Sequence, residues 1–339
     1  MDQGEDLIRV SPSGLRDFAF CERLYLYTRV MNLQPKTLVG PLERGTLFHA
    51  CLAALYAGED WKGPLREYKA KFDELGEEVK VVLGDIPGET FRTMRSYVYR
   101  YRELDSEWVL VCDPEGKPII ERKFSARIPG TPVVIRGRID AVFEHKPTET
   151  IWVWDHKSTK SATAPMSEVK FGDIQGIIYS LMVKSLIFHN KRDVDGVLFN
   201  YLRSKPPAVP VLLKSGKALS RAKSIDTDPY TFLLACKKYG FDPKDYKKEI
   251  RRLKGRPFFS RIKVPASDRL TKTILYEIAT RAMRIKDTTY FTRTLQERFC
   301  NDCKMNPLCM AELFDQDINS VIAALYEQRG DFDEEAQEV

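Results

Sequence analysis

The chain has 339 residues, of which 43% are hydrophobic and 30% are charged. This composition excludes a mostly disordered chain, and the length allows one elaborated domain or two compact ones. The formal net charge is +6, and five acidic residues fall in 331–339, so the rest of the chain carries +11. A basic body favours a polyanionic partner, most often nucleic acid, although many ordinary enzymes are mildly basic too.

A membrane partner is not expected. The longest apolar stretch, residues 177–188, is interrupted by Lys184 and is shorter than the roughly 20 residues that a transmembrane helix needs. The first ten residues contain acidic side chains and lack the apolar run of a signal peptide. We therefore expect a cytoplasmic protein.

The first half of the sequence changes from helical to strand periodicity. Ser11-Pro12-Ser13 is a helix-start signal, and helical patterns cover 13–29, 43–55, 64–83 and 88–104. Alternating patterns then predict four successive strands over 108–112, 117–128, 132–144 and 150–157.

The second half predicts a long helix that packs on the sheet, more strands and further helices. The helix covers 167–190, the strands cover 194–202 and 209–213, and the last helices cover 268–286 and 311–328. This order predicts an α+β fold in which a helical region is built from both chain ends.

Two stretches carry much of the positive charge. Residues 203–225 contain six basic side chains, and residues 244–263 contain nine. Most charge runs are solvated faces, but aromatic residues interleave with these two (Tyr246, Phe258 and Phe259). The pattern favours a path for a phosphate backbone.

Three of the seven cysteines have the spacing C-x2-C-x5-C, which lets one short loop present three thiolates to a metal centre. They are Cys300, Cys303 and Cys309, and Cys21, flanked by aromatic residues, is the best candidate for a fourth ligand. Four thiolates suit either Zn²⁺ or an iron–sulfur cluster, and a single C-x2-C pair favours [4Fe–4S]. The other three cysteines, Cys51, Cys112 and Cys236, are predicted to be lone buried thiols.

Two carboxylates and a lysine are predicted to meet at the end of neighbouring strands. Asp155 and Lys157 lie two apart on a strand and so share a face, and Asp140 on the preceding strand can lie across from Asp155. Converging carboxylates favour Mg²⁺ or Mn²⁺, because hard cations prefer oxygen ligands. His49 is a further candidate ligand, while Gln175 and Tyr179 share one helical face. Taken singly, each feature also fits a surface ion pair or a structural residue.

Four short motifs occur in the order of a known nuclease family. They are G-x-x-x-H (45–49), G-x-x-D (137–140), D-x-K (155–157) and Q-x-x-x-Y (175–179). Together they resemble the RecB-type branch of the PD-(D/E)XK nucleases. The leading cysteine with the trailing C-x2-C-x5-C resembles its iron–sulfur subgroup, which includes CRISPR-associated exonucleases of the fourth Cas family and the AddB nuclease domain.

The resemblance implies a restriction-endonuclease-like fold, with a central mixed sheet flanked by helices. It divides the chain into an N-terminal helical region (1–105), a nuclease core (106–265), a C-terminal helical iron–sulfur region (266–330) and an acidic tail (331–339). The two helical regions would be joined by the cluster.

The resemblance also implies a role for each motif residue. Metal ligands would be His49, Asp140, Asp155 and the backbone carbonyl of His156, and Lys157 would be the catalytic lysine. Substrate would be oriented by Gln175, Tyr179 and Arg138, with Glu121 as a supporting acid. The [4Fe–4S] cluster would be held by Cys21, Cys300, Cys303 and Cys309.

The implied activity is that of a Mg²⁺- or Mn²⁺-dependent exonuclease acting on single-stranded DNA ends, 5′ to 3′, in recombination, repair or DNA processing. A DNA-binding platform and a zinc-stapled endonuclease are alternatives. A third alternative is a subunit of a helicase–nuclease. Its motor would come from a partner, because the chain has no G-x-x-x-x-G-K-[ST] motif for nucleotide binding. A recombination or CRISPR-type protein partner and the oligomeric state stay open.

Overall fold

A mixed sheet of seven strands forms the centre of the computed structural model, which describes residues 7–37, 40–159, 174–254 and 258–330. Its strands are β1 (Ile8–Val10), β3 (Trp108–Leu110), β4 (Ile120–Arg127), β5 (Val133–His145), β6 (Thr150–Thr159), β7 (Gly196–Arg203) and β8 (Phe259–Pro265). A separate antiparallel pair joins β2 (Leu33–Pro35) to β9 (Tyr326–Gln328).

The long strand β5 organises the sheet. It pairs with β1 in parallel and with β3, β4 and β6 in antiparallel orientation. Strand β7 then pairs with β6 in parallel, and β8 pairs antiparallel with β7 at the edge of the sheet. Strands β5 and β6 are paired from His145↔Thr150 as far as Ala141↔Trp154. Asp140 and Asp155 are the next residues on the two strands, so both lie where the pairing ends.

Helices cover both faces of the sheet. They are α1 (Pro12–Phe20), α2 (Glu22–Tyr25), α3 (Gly40–Tyr56), α4 (Lys62–Asp73), α5 (Glu77–Leu83), α6 (Ile86–Tyr101), α7 (Ile174–Met182), α8 (Pro229–Tyr239), α9 (Lys247–Lys254), α10 (Asp268–Asp287), α11 (Glu297–Cys300), α12 (Asn306–Leu313) and α13 (Ile318–Leu325). Apolar residues of α1, α7 and α10 bury one face, and α3 with α6 lies over the other. None of the described helices is long and apolar enough to cross a membrane.

The predicted α+β fold with a helix-flanked mixed sheet is confirmed. Several predicted elements are wrong in detail. The helix over 13–29 breaks at Cys21, whose backbone is extended. The helix over 311–328 is two helices, because α12 ends at Leu313 and α13 runs from Ile318 to Leu325 before β9. Residues 209–213 form no strand, only an isolated bridge between Leu212 and Leu219. Of the helix predicted over 167–190, residues 167–173 lie outside the described part.

The basic stretch 244–263 ends in the edge strand β8. Its aromatic side chains Tyr246, Phe258 and Phe259 are buried, so they do not present rings on which bases could stack. Cys112 is exposed rather than buried, because it follows the short edge strand β3.

A buried polar network ties β8 to the helices over the sheet. Arg261 donates to Asp105 at 2.5 Å, to Tyr97 at 2.9 Å and to Tyr56 at 3.0 Å, and its guanidinium lies 4.4 Å from the Trp154 ring centroid. The guanidinium is largely buried, and burial without these partners would be strongly unfavourable. The network therefore fixes α3 and α6 against the sheet.

We expect Arg261→Met to lower the free energy of unfolding by about 3–5 kcal/mol, because it leaves the Asp105 carboxylate without its buried partner. The matched control is Arg192→Met, which removes an ion pair with Glu144 in which the arginine is 47% exposed, and should cost at most about 1 kcal/mol. Urea unfolding measures both. Equal effects for the two variants would contradict the role of the network.

Candidate active site

The two predicted acids lie at the fork between β5 and β6. The backbone N–H of His156 donates a hydrogen bond of 2.7 Å to Asp140 Oδ2 and so spans the gap between the strands. Asp140 and Asp155 are both buried, at 6% and 1% exposure. Burial of two carboxylates side by side is unfavourable unless cations or donors surround them.

Helix α3 brings His49 to this fork. Its Nδ1 lies 3.4 Å from Asp140 Oδ1 and 3.9 Å from Glu121 Oε1. One ligand atom from each of these three residues lies within 4.8 Å of the others, as the ligands of a single metal ion would. Glu121 reaches this position from a left-handed backbone conformation (φ 47°), and Arg138 Nε contacts its carboxylate at 3.0 Å.

A chain of hydrogen bonds runs from Asp155 to α7. Lys157 Nζ lies 2.7 Å from Asp155 Oδ2 and donates to Gln175 Oε1 at 2.8 Å. Gln175 in turn donates to the Tyr179 hydroxyl at 3.0 Å. These contacts hold the ammonium of Lys157 against the carboxylate and leave the lysine side chain 29% exposed.

The charges of the cluster shift one another. Burial acts to raise the pKa of Asp140, but His49, His156 and the backbone N–H of His156 lower it below its usual range. Burial acts to lower the pKa of His49, yet the surrounding carboxylates raise it. The pKa of Glu121 is raised by burial and by the charge of Asp140, against the effect of Arg138. A divalent cation would relieve the repulsion among these acids.

The histidine of the D-x-K motif contributes its backbone to the fork, not its ring. The ring of His156 stacks on Tyr56, and its Nδ1 accepts a hydrogen bond of 2.9 Å from Asn200 Nδ2. Burial lowers the pKa of His156 to about 3, so the ring is neutral. Its side chain is therefore part of the structural support.

The glycine of the G-x-x-D motif is required by packing. A Cβ at Gly137 would lie 2.7 Å from the Phe124 ring and 3.0 Å from the ring of Tyr179. This close approach lets Tyr179, which is 5% exposed, reach the sheet beside the acids.

A family model described as the PD-(D/E)XK nuclease superfamily matches residues 9–310. The chain belongs to this superfamily. The match includes every residue of the fork described above and all four of the clustered cysteines. The restriction-endonuclease-like character of the fold is thereby shown.

Two solved structures are similar over most of their lengths. One, from Eubacterium rectale and provisionally named an exonuclease, shares 11% identity over 88% of each chain with a TM-score of 0.47. The other, named SSO0001, shares 10% identity over 91% of this chain and 89% of that chain, with a TM-score of 0.30. None of the curated proteins compared matches the chain.

The ligand atoms of this PD-(D/E)XK member fit a divalent metal. His49 Nδ1 is buried without a well-aligned hydrogen bond and faces two carboxylates. One nitrogen and several carboxylate oxygens suit Mn²⁺ or Mg²⁺. The three residues whose ligand atoms lie within 4.8 Å of one another include Glu121, to which the sequence analysis assigned only a supporting role. Asp155 is not one of these three and instead contacts Lys157 at 2.7 Å.

The four cysteines line one cavity between the two chain ends. Cys21 follows α1, and the others lie at the end of α11, in the following turn and in α12. Among the described residues no three cysteine sulfurs lie within 4.8 Å of one another.

We expect Mn²⁺ to raise the unfolding temperature of the protein, because it binds the folded fork and not the unfolded chain. At a concentration 100 times the Kd the stabilisation is about 2.7 kcal/mol. Asp140→Asn should abolish the shift, and Asp193→Asn, at a carboxylate 86% exposed, should keep it. Differential scanning calorimetry measures the shift, and an undiminished response in Asp140→Asn would contradict the assignment.

Proposed function

We propose that this chain is a metal-dependent DNA exonuclease that hydrolyses phosphodiester bonds at single-stranded ends, with 5′ to 3′ polarity, in recombination, repair or DNA processing. The supporting observation is the ligand group His49, Glu121 and Asp140 beside the Asp155–Lys157 pair. Membership of the nuclease superfamily supports a hydrolytic activity on DNA. Strand preference and polarity come from the family resemblance.

The proposed ligands are His49, Asp140 and Asp155, with Glu121 and the backbone carbonyl of His156 as further candidates. When bound, a divalent cation lowers the pKa of a coordinated water and neutralises charge on the phosphoryl oxygens. Lys157 orients the attacking water and adds positive charge where negative charge develops. Gln175 holds the lysine in place, and Tyr179 and Arg138 orient the strand.

We expect Lys157→Ala to lower kcat by about 10²–10³, the usual effect of removing one preorganised donor from a transition state. The substrates are end-labelled linear single- and double-stranded DNA beside a closed single-stranded circle, with Mn²⁺, Mg²⁺ or EDTA. The matched control is Lys184→Ala, a lysine that follows the end of α7, is paired with Asp193 and lies outside the site.

Each outcome of this assay decides a separate point. Metal-dependent loss of linear strands establishes the nuclease, and sparing of the circle establishes the exonuclease. Cleavage of the circle would overturn exonuclease action. Tight DNA binding without any cleavage by the wild type would favour a partner-dependent subunit or platform instead.

We also propose that Cys21, Cys300, Cys303 and Cys309 hold a [4Fe–4S] cluster that joins the two chain ends. Their shared cavity supports this assignment, and the single C-x2-C pair favours a [4Fe–4S] cluster over one zinc ion. The cluster would reinforce the β2–β9 pair and the apolar contacts between Tyr27, Met305 and Tyr326. On this proposal residues 106–265 form the nuclease core between the two terminal regions.

Protein purified without oxygen should contain about four iron and four sulfide per chain, as a [4Fe–4S] cluster requires. Cys303→Ala should lose most of both and unfold at a lower temperature, whereas Cys112→Ala, at an exposed cysteine, should retain them. Iron, sulfide and zinc analyses test the proposal. About one zinc per chain without sulfide would contradict it.

A further inference from the structure

An open groove lined by five basic residues lies beside the N-terminal half of β5. Its volume is about 730 Å³, and the basic side chains are Arg9, Arg29, Lys123, Arg136 and Arg329. No acidic residue is among the described residues that line it. Neutral groups complete the lining, including Ser11, Asn32 and Gln34.

The strand register connects this groove to the fork. Arg136, Arg138 and Asp140 alternate along β5, and Arg138 lies opposite Lys123 on β4. Arg9 on β1 lies beside Val134, two residues before Arg136. Residues in register and residues two apart share a face of the sheet, so Arg9, Lys123, Arg136 and Arg138 project from the same side. At ~3.3 Å per residue, Arg136 is ~13 Å along the strand from Asp140.

The far wall of the groove brings two further guanidinium groups together. Arg29 is held by Asp17 at 2.9 Å and by Ser13 at 3.1 Å, and Arg329 is anchored through backbone hydrogen bonds to Asn32. Partial burial and the nearby charge of Arg29 lower the pKa of Arg329. Like charges held together in this way are stabilised by a bound anion.

We propose that this groove binds the sugar–phosphate backbone of the substrate strand a few nucleotides from the bond that is cleaved. The proposal rests on the proposed nuclease function and extends it to a second contact with the strand. Arginine, lysine and neutral polar groups contact phosphate and sugar without reading bases, so binding is expected to be independent of sequence.

The test measures binding alone, in EDTA, so that it does not depend on cleavage. The probe is a fluorescent oligothymidylate of about 16 nucleotides, a length within the usual site sizes for single strands, titrated over a range of salt concentrations. The variant is Arg9→Gln/Lys123→Gln/Arg136→Gln. Two controls accompany it: the charge-retaining Arg9→Lys/Lys123→Arg/Arg136→Lys, and Lys62→Gln/Lys69→Gln/Lys71→Gln on the exposed face of α4.

We expect the groove variant to bind about 100-fold more weakly near 0.1 M salt and to reduce the salt slope by about 2, because three phosphate contacts are lost. Both controls should bind as the wild type does. Unfolding temperatures show whether each variant is folded, and the charge-retaining variant separates loss of charge from loss of packing.

Two outcomes would overturn the proposal. One is unchanged affinity and an unchanged salt slope in the groove variant. The other is a wild-type protein that does not bind the strand. Groove-dependent binding in EDTA, combined with no cleavage of the linear strands in the assay with Mn²⁺ or Mg²⁺, would support the groove and contradict the proposed nuclease activity.

Discussion

The main constraint on this structure is that several carboxylates lie close together at a buried position. Asp140 and Asp155 are buried at the point where β5 and β6 part, and Glu121 faces Asp140 from the neighbouring strand. Carboxylates this close repel one another, and burial removes the water that would screen them. Each acid has at least one positive or donating group beside it: His49 and a backbone N–H for Asp140, Lys157 for Asp155 and Arg138 for Glu121.

This balance needs a rigid support, which the layers behind the fork provide. The neutral ring of His156 is fixed by Tyr56 and Asn200, and Asn200 also donates to Tyr97 at 2.8 Å. Tyr56 and Tyr97 belong to the network around Arg261, so the helices that carry His49 and Tyr97 are tied to the strands that carry the acids. On the other face, Gln175 couples Lys157 to α7. The ligand group is therefore preorganised by contacts on both sides of the sheet.

Much of the fork was predictable because its geometry follows from strand register. The spacing of Asp155 and Lys157 places them on one face, and the antiparallel connection of two successive strands brings Asp140 beside Asp155. Gln175 and Tyr179 are four residues apart, which places both side chains on the same face of a helix. The structure places all of these side chains at or next to the fork. Their roles in catalysis stay proposals.

The parts that were not predictable depend on tertiary context. Glu121 owes its position to a left-handed backbone that the sequence does not reveal. Strand β8 alternates apolar and basic residues, and its basic residues favoured an interpretation as a path for a phosphate backbone. The structure instead buries one of them, Arg261. The basic groove joins Arg9, Lys123 and Arg329, which are far apart in the chain and become neighbours only through β1, β4 and β9.

We propose that the acids at the fork hold a catalytic divalent metal. Anomalous diffraction at the manganese edge, from crystals soaked in Mn²⁺, tests this proposal. We expect a strong peak between His49, Glu121, Asp140 and Asp155, within about 2.0–2.6 Å of their ligand atoms. Its absence there in a crystal that shows manganese elsewhere would contradict the claim.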